Sequence, residues 1–207
     1  MKVYLFVLST LADWEIGYLT AELHSKRFFR DPKANVQLMK LGLSRAPVES
    51  MGGMHIAPDV GLDDIRMEKD DVLILPGAET WENGNDVILQ FARDRLEQGF
   101  RVAAICGATV GLARVGALDG LQHTSNDLGY LQSVCPQYKG AALYRKEPAV
   151  RDRNLVTATG LAPLEFTREV LAMLDVFKPE TLDAWYKLYS TREEQHYHAL
   201  VASMSDV

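Results

Sequence analysis

Four short, nearly unbroken apolar segments alternate with longer amphipathic ones, and this alternation limits the possible folds more than any other feature of the chain. The segments KVYLFVL (2–8), NVQLMKL (35–41), DVLILPG (71–77) and RVAAIC (101–106) are aliphatic or β-branched in emphasis and bounded by turn or helix signals. Segments of that kind read as strands of a parallel sheet buried on both faces. Between them, DWEIGYLTAELHSKRFF (13–29), NDVILQFARDRLEQG (85–99) and GATVGLARVG (107–116) read as helices. Asp13 is the expected N-cap of the first, and Gly99 and Gly116 sit where helices should stop. Further on, RDRN within 142–159 reads as the turn of a hairpin returning to the sheet, and 162–177 as an amphipathic helix. One or two more helices follow, opened by Pro179 and capped by Thr191. Strand–helix–strand units close through right-handed crossovers. The expected fold is therefore α/β: a three-layer, flavodoxin-like, doubly wound, mainly parallel sheet with helices on both faces and extra C-terminal helices. At 207 residues, 47% of them hydrophobic, the whole chain is expected to be one domain, with 179–207 a helical extension.

Charge narrows the partners. The chain carries 22 basic and 28 acidic side chains, a net charge of −6, with no Lys/Arg cluster, so nucleic acid is not an expected partner. No apolar run approaches the roughly 20 residues of a membrane span, and the short run at the N-terminus lacks the form of a signal peptide. Two cysteines, Cys106 and Cys135, are too few for a disulfide framework and fit a reducing cytoplasm in which a free thiol persists.

In open α/β sheets ligands bind beyond the carboxyl ends of the strands, where strand order reverses. Three places fall there: Leu11–Glu15, the loop 76–82, and Cys106. A nucleophile on a tight strand-to-helix turn is thrust out of the sheet, and the small neighbours Gly107, Ala108 and Gly111 leave room for a close approach. The helix that starts there aims free N–H groups at the sulfur, which predicts a thiol more acidic than the ordinary value of about 8.5. The bland alternative is a buried cysteine that only packs. Cys135 lacks any such framing and reads as structural or surface.

VLILPGAETWE, RVAAICGATVGLARVGALDG and NLVTATGLAPLEFTREVLAML together resemble the ThiJ/PfpI (DJ-one) superfamily, within the class I glutamine amidotransferase-like fold. The resemblance runs to about residue 177 and implies that Cys106 pairs with an acid shortly after the first strand, here Glu15. A carboxyl buried beside a thiol is held protonated and can donate to the thiolate. The resemblance also implies an oxyanion-type pocket built from the backbone of Gly77, Ala78 and Gly107, with Glu79, Trp81 and Glu82 at its rim. Further along, it directs attention to ALDGLQHTSND: either His123 reaches the pocket as a catalytic group, or Asn126 orients substrate or sulfur through its amide.

Several activities are disfavoured by departures from related patterns. Cys106 is followed by Gly107 where peptidase-like relatives carry histidine, so a peptidase lacks its adjacent base. Glu165 stands without the histidine of a glutamine amidotransferase, no glycine-rich nicotinamide turn follows the first strand, and His196 and His198 at i, i+2 share no helical face for a metal. No cofactor or metal is expected. What remains is a cysteine-dependent hydrolase or a glyoxalase/deglycase-like enzyme acting on a small electrophilic carbonyl compound, expected by resemblance to be a homodimer. The alternative is a non-catalytic stress protein that responds through oxidation of Cys106. A third reading has the tail aromatics Trp185, Tyr186, Tyr189 and Tyr197 holding a partner, against packing on the core.

Overall fold

The structure, a computed structural model, describes residues 1–204. In chain order its strands are β1 (Lys2–Phe6), β2 (Gln37–Gly42), β3 (Val48–Glu49), β4 (His55–Ile56), β5 (Val60–Gly61), β6 (Val72–Leu75), β7 (Arg101–Ile105), β8 (Ala149–Asp152) and β9 (Leu155–Ala158). The helices are α1 (Asp13–Ser25), α2 (Asp86–Glu97), α3 (Gly107–Arg114), α4 (Leu128–Val134), α5 (Pro163–Leu174), α6 (Pro179–Thr191) and α7 (Glu194–Ser203). Seven strands form one sheet in the order β5-β2-β1-β6-β7-β9-β8, parallel throughout except for β8 at the edge. This is the doubly wound α/β architecture expected from the sequence. The chain winds outward from β1 to β2 and β5, then crosses to β6 and continues to β7 and β9, so strand order reverses between β1 and β6. Val72, Leu73, Ile74 and Leu75 of β6 are fully buried, which is why the central strands show no polar alternation.

Local chemistry moves several expected boundaries. α1 stops at Ser25 because Lys26 turns left-handed (φ 56°) and closes its N–H on Glu22 O. Its N-cap is Ala12; Asp13 lies inside the first turn and accepts the Gly52 N–H at 2.6 Å, tying the helix start to the β3–β4 ribbon. Asp152 and Leu155 flank the β8–β9 turn, in which Arg153 has φ 52°. Thr191 ends α6 while Arg192 is the left-handed cap (φ 66°), and the Thr191 hydroxyl accepts from Glu193 N–H at 3.3 Å. The last three residues of the expected 179–207 extension lie outside the described residues. β3, β4, β5 and α4 carry too few residues to show a period, and the sequence reading passed over them.

The tail folds back on its own chain. Trp185 is fully buried, with Phe177, Tyr18 and Tyr189 rings at centroid distances of 6.5, 6.2 and 5.1 Å. Its indole N–H donates to Glu22 of α1 at 3.0 Å. Among the described residues no helix is long and apolar enough to cross a membrane.

Candidate active site

Cys106 is the hinge between β7 and α3, at φ 59°, ψ −128°. A side chain in that region of backbone space costs about 1–3 kcal/mol and persists only where its surroundings over-determine it. Here they do. The Cys106 N–H is held by Ala158 O of β9 at 3.0 Å, and its carbonyl accepts the Thr109 N–H and hydroxyl at 3.1 and 2.6 Å. Strand pairing on one side and the first turn of α3 on the other leave the side chain projecting from the sheet edge, half-buried.

Two glycines make room around it. A Cβ on Gly77 would stand 2.5 Å from Glu15 Oε2 and 2.8 Å from the Cys106 Cβ; one on Gly160 would stand 2.7 Å from the sulfur. All three contacts are closer than real Cβ atoms tolerate, so the acid and the thiol meet only because these two positions lack side chains.

Glu15, on the inward face of α1, is fully buried. Its Oε2 accepts the Gly77 N–H at 2.6 Å, while Oε1 has no nitrogen or oxygen partner and faces the thiol. Burial pushes the Glu15 carboxyl above its ordinary range, partly offset by the hydrogen bonds with Cys106 and Gly77. Burial also pushes the Cys106 thiol up; the Asn126 amide and the Gly107 N–H pull it down, while the Glu15 charge pushes it further up. The more acidic thiol expected from the turn alone is therefore not what the site gives, because desolvation outweighs the helix N-terminus. Each group acts on the other: the Cys106 contact draws the Glu15 carboxyl down, and the Glu15 charge drives the thiol up.

The remaining candidates divide. Asn126 Nδ2 donates to Cys106 Sγ at 3.3 Å, and its Oδ1 accepts the Gly160 N–H at 2.8 Å. His123 is not brought to the sulfur. It is fully buried, with Nδ1 2.7 Å from Leu121 O and Nε2 against the Tyr138 hydroxyl at 2.5 Å, and burial pushes its pKa down. Its ring lies edge-on to Tyr138 and Tyr144, an internal packing role that leaves neither nitrogen for a substrate. Gly77 spends its N–H on Glu15, so of the three expected oxyanion donors only Ala78 and Gly107 remain, the latter's N–H lying against the sulfur. Ala78 N–H has no partner among the described residues. Trp81 is not at the rim: it is buried beneath Gly107 and Gly111, with its indole N–H on Pro76 O at 2.8 Å. Cys135 is buried with its thiol on Val110 O at 3.7 Å. The sequence alone does not single out Gly160; the sheet register places it. Ile105 pairs with Ala158, so the residues just past the two strand ends must lie side by side.

The raised Glu15 carboxyl makes a stability prediction. A folded-state pKa above the unfolded 4.5 means that the folded chain holds a proton the unfolded chain has released. Stability is then complete below 4.5 and declines as pH rises through the folded value. Glu15→Gln keeps an acceptor for Gly77 and removes that titration. Its denaturant midpoint is expected to match wild type at pH 4 and exceed it at pH 7; a variant less stable at pH 7 than at pH 4 relative to wild type contradicts the assignment.

A doubly wound sheet with a cysteine on a left-handed elbow at its switch point, facing a buried carboxyl, defines the class: a nucleophile-elbow α/β protein of the glutamine amidotransferase-like kind. The chain belongs to the DJ-1/PfpI family, whose description matches residues 1–173. It is 48% identical over 205 residues, 99% of this chain and 98% of the other, to YoaZ of Bacillus subtilis (strain 168), named an uncharacterized protease. It resembles the crystal structure of a thiJ/pfpI family protein from Bacillus anthracis, at TM-score 0.95 and 46% identity, covering 98% of this chain and 96% of that one. A DJ-1 superfamily protein from Agrobacterium tumefaciens follows, at TM-score 0.80 and 31% identity, covering 93% and 98%.

Proposed function

We propose that this chain is a cysteine-dependent enzyme of the hydrolase or glyoxalase/deglycase type, acting on small electrophilic carbonyl compounds in a reducing cytoplasm, as a homodimer. One observation carries the reading: a fully buried carboxyl whose Oε1 has no nitrogen or oxygen partner faces the sulfur of a cysteine held on a strained elbow. A packing cysteine needs neither the strain nor the acid.

The reactive form is the pair that has lost one proton, with charge on Sγ and the remaining proton on Glu15. The sulfur lone pair forms a bond to the carbonyl carbon, the C=O π pair moves onto oxygen, and that oxygen takes the Glu15 proton. The Ala78 N–H and Gly107 N–H support the developing oxyanion. For an ester, the hydroxyl proton passes back through Glu15 to the departing alkoxide as the C=O reforms, leaving a thioester. Water then adds with its proton going to Glu15, and collapse expels the sulfur with its electron pair as the Cys106 thiolate and releases the acid. Asn126, which donates to the Cys106 sulfur, also forms part of the wall of a cleft of about 700 Å³ lined by Tyr144, Lys146, Thr159, Leu161 and Glu165 among others, while Cys106 itself lies behind Asn126 and outside that lining. A peptidase of this kind would need a histidine base at the sulfur, and His123, the histidine nearest in sequence to Asn126, has both ring nitrogens engaged elsewhere. The partial exposure of Cys106 favours, as a second reading, a redox-responsive protein in which Glu15 donates to an oxidised sulfur.

The test is inactivation by a single modification. Methylglyoxal loss and small-ester hydrolysis are followed as iodoacetamide is titrated in, with the site assigned by mass. Turnover is expected to cease when one equivalent sits on Cys106, Cys135 being buried and unreactive. Undiminished turnover at full occupancy overturns the enzymatic reading. Stoichiometric oxygen addition at Cys106 by dilute peroxide, with no turnover of either substrate, moves it to the second one.

A further inference from the structure

We propose that Asn126 is a catalytic residue of this site: a pH-independent donor, locked in orientation by the Gly160 backbone, that holds the Cys106 thiolate with one amide hydrogen and meets the substrate oxygen with the other. The proposal rests on the reading of Cys106 as nucleophile and adds the group that prepares it.

The orientation follows from chemistry rather than from an assignment of atoms. A backbone N–H can only donate, so the Asn126 atom 2.8 Å from Gly160 N must be the carbonyl oxygen. The NH2 group is then compelled to face the sulfur, at 3.3 Å. Gly160 holds this arrangement twice over. Its lack of a side chain lets the loop press against Sγ, and its carbonyl accepts the Trp14 indole N–H at 3.4 Å from the start of α1, fixing the loop from its far side.

An NH2 group has two hydrogens, and the sulfur takes one. Asn126 is itself solvent-exposed and forms part of the wall of the 700 Å³ cleft, beside Thr159, Leu161 and Tyr144. The second hydrogen is therefore not taken by the sulfur and lies on an exposed side chain that joins the sulfur to the cleft wall. The charged group acting on Sγ is Glu15, from α1; among the described residues no cation faces the sulfur, and His123 does not reach it. Thiolate stabilisation in this site thus falls to neutral donors, and Asn126 is the side-chain one.

Cys106 alkylation by iodoacetamide, followed from pH 5 to 10 in the full chain, tests this without any substrate. Asn126→Asp keeps the shape and the Gly160 bond but replaces the donor with an acceptor; Asn126→Ala removes it. At pH 7 the alanine variant is expected to react about tenfold more slowly, the effect of one lost hydrogen bond to a charged group. The aspartate variant should be slower still, and both profiles should shift to higher pH. A merely structural Asn126 would leave the isosteric aspartate with the wild-type profile, and that result overturns the proposal. So does an alanine profile that matches wild type, which also covers the case of a poorly folding aspartate variant. Should the expected order appear while wild type turns over no carbonyl compound, the enzymatic reading fails and the catalytic role of Asn126 falls with it, leaving Asn126 as a donor to the sulfur alone.

Discussion

Gly160→Ala is expected to slow both Cys106 alkylation and any turnover on the order of a hundredfold, while leaving the protein folded. The new methyl carbon would lie 2.7 Å from Sγ, 3.0 Å from the Cys106 Cβ and 3.2 Å from Glu15 Oε1. None of the three can retreat easily. The elbow is pinned by Ala158 O and by Thr109, and Glu15 by the Gly77 N–H, so the loop itself must move outward. That motion stretches the Gly160–Asn126 bond and misplaces the amide with respect to the sulfur. A displacement of about 1 Å in a reacting constellation costs about 10²-fold. Overpacking adds about 1–3 kcal/mol of destabilisation, tolerable in a domain of this size. Gly17→Ala is the control: a Cβ there meets nothing within 4 Å, in the interior of α1, and should stabilise by roughly 0.5–1 kcal/mol with no change in alkylation. Wild-type alkylation in Gly160→Ala would mean that the loop is free to yield and does not organise the site.

How far the sequence reveals this site depends on how each contact is encoded. The elbow is written locally: an aliphatic strand, one cysteine and a run of small residues are enough to place Cys106 at the sheet edge. Glu15 is equally near to its strand end, and family likeness supplies its partner. What the sequence conceals is the allocation of donors. Whether the Gly77 N–H serves substrate or acid depends on Oε2 lying 2.6 Å away across 62 positions of chain, and no local pattern carries that. The choice between His123 and Asn126 is of the same kind. Three residues apart on one loop, they are sorted by Tyr138, which claims the imidazole, and by Gly160, which claims the amide oxygen. The strands missed in the sequence are two residues long and the missed helix seven, too short for a period to show.

Helix α1 shows how one buried face can treat two carboxyls in opposite ways. Glu15 and Glu22 stand seven residues apart, two turns along the same inward side, and both are buried. Among the described residues no cation meets Glu15, so burial drives it toward the neutral acid. Glu22 receives the Arg27 guanidinium at both oxygens, Nε to Oε2 at 3.0 Å and the second nitrogen to Oε1, and holds the Arg27 pKa well above its ordinary value. On that same Oε1 it accepts the Trp185 indole N–H, which fastens α6 to the helix that carries Glu15.

Glu22→Ala is therefore expected to cost about 3 kcal/mol, the lower part of the range for breaking a buried pair, because Arg27 is half-exposed and can turn to water while the Trp185 N–H cannot. For a chain of this length the melting temperature should fall by about 10 °C. Glu22→Gln keeps an oxygen for the indole and should recover part of the loss. Both variants should retain the pH profile of Cys106 alkylation, since Glu15 is held at the other end of the helix by Gly77 rather than by the tail. A Glu22→Ala protein that melts with wild type would show that aromatic packing alone secures the tail. One that melts lower and also shifts the alkylation profile would show instead that α6 reaches through α1 to Glu15.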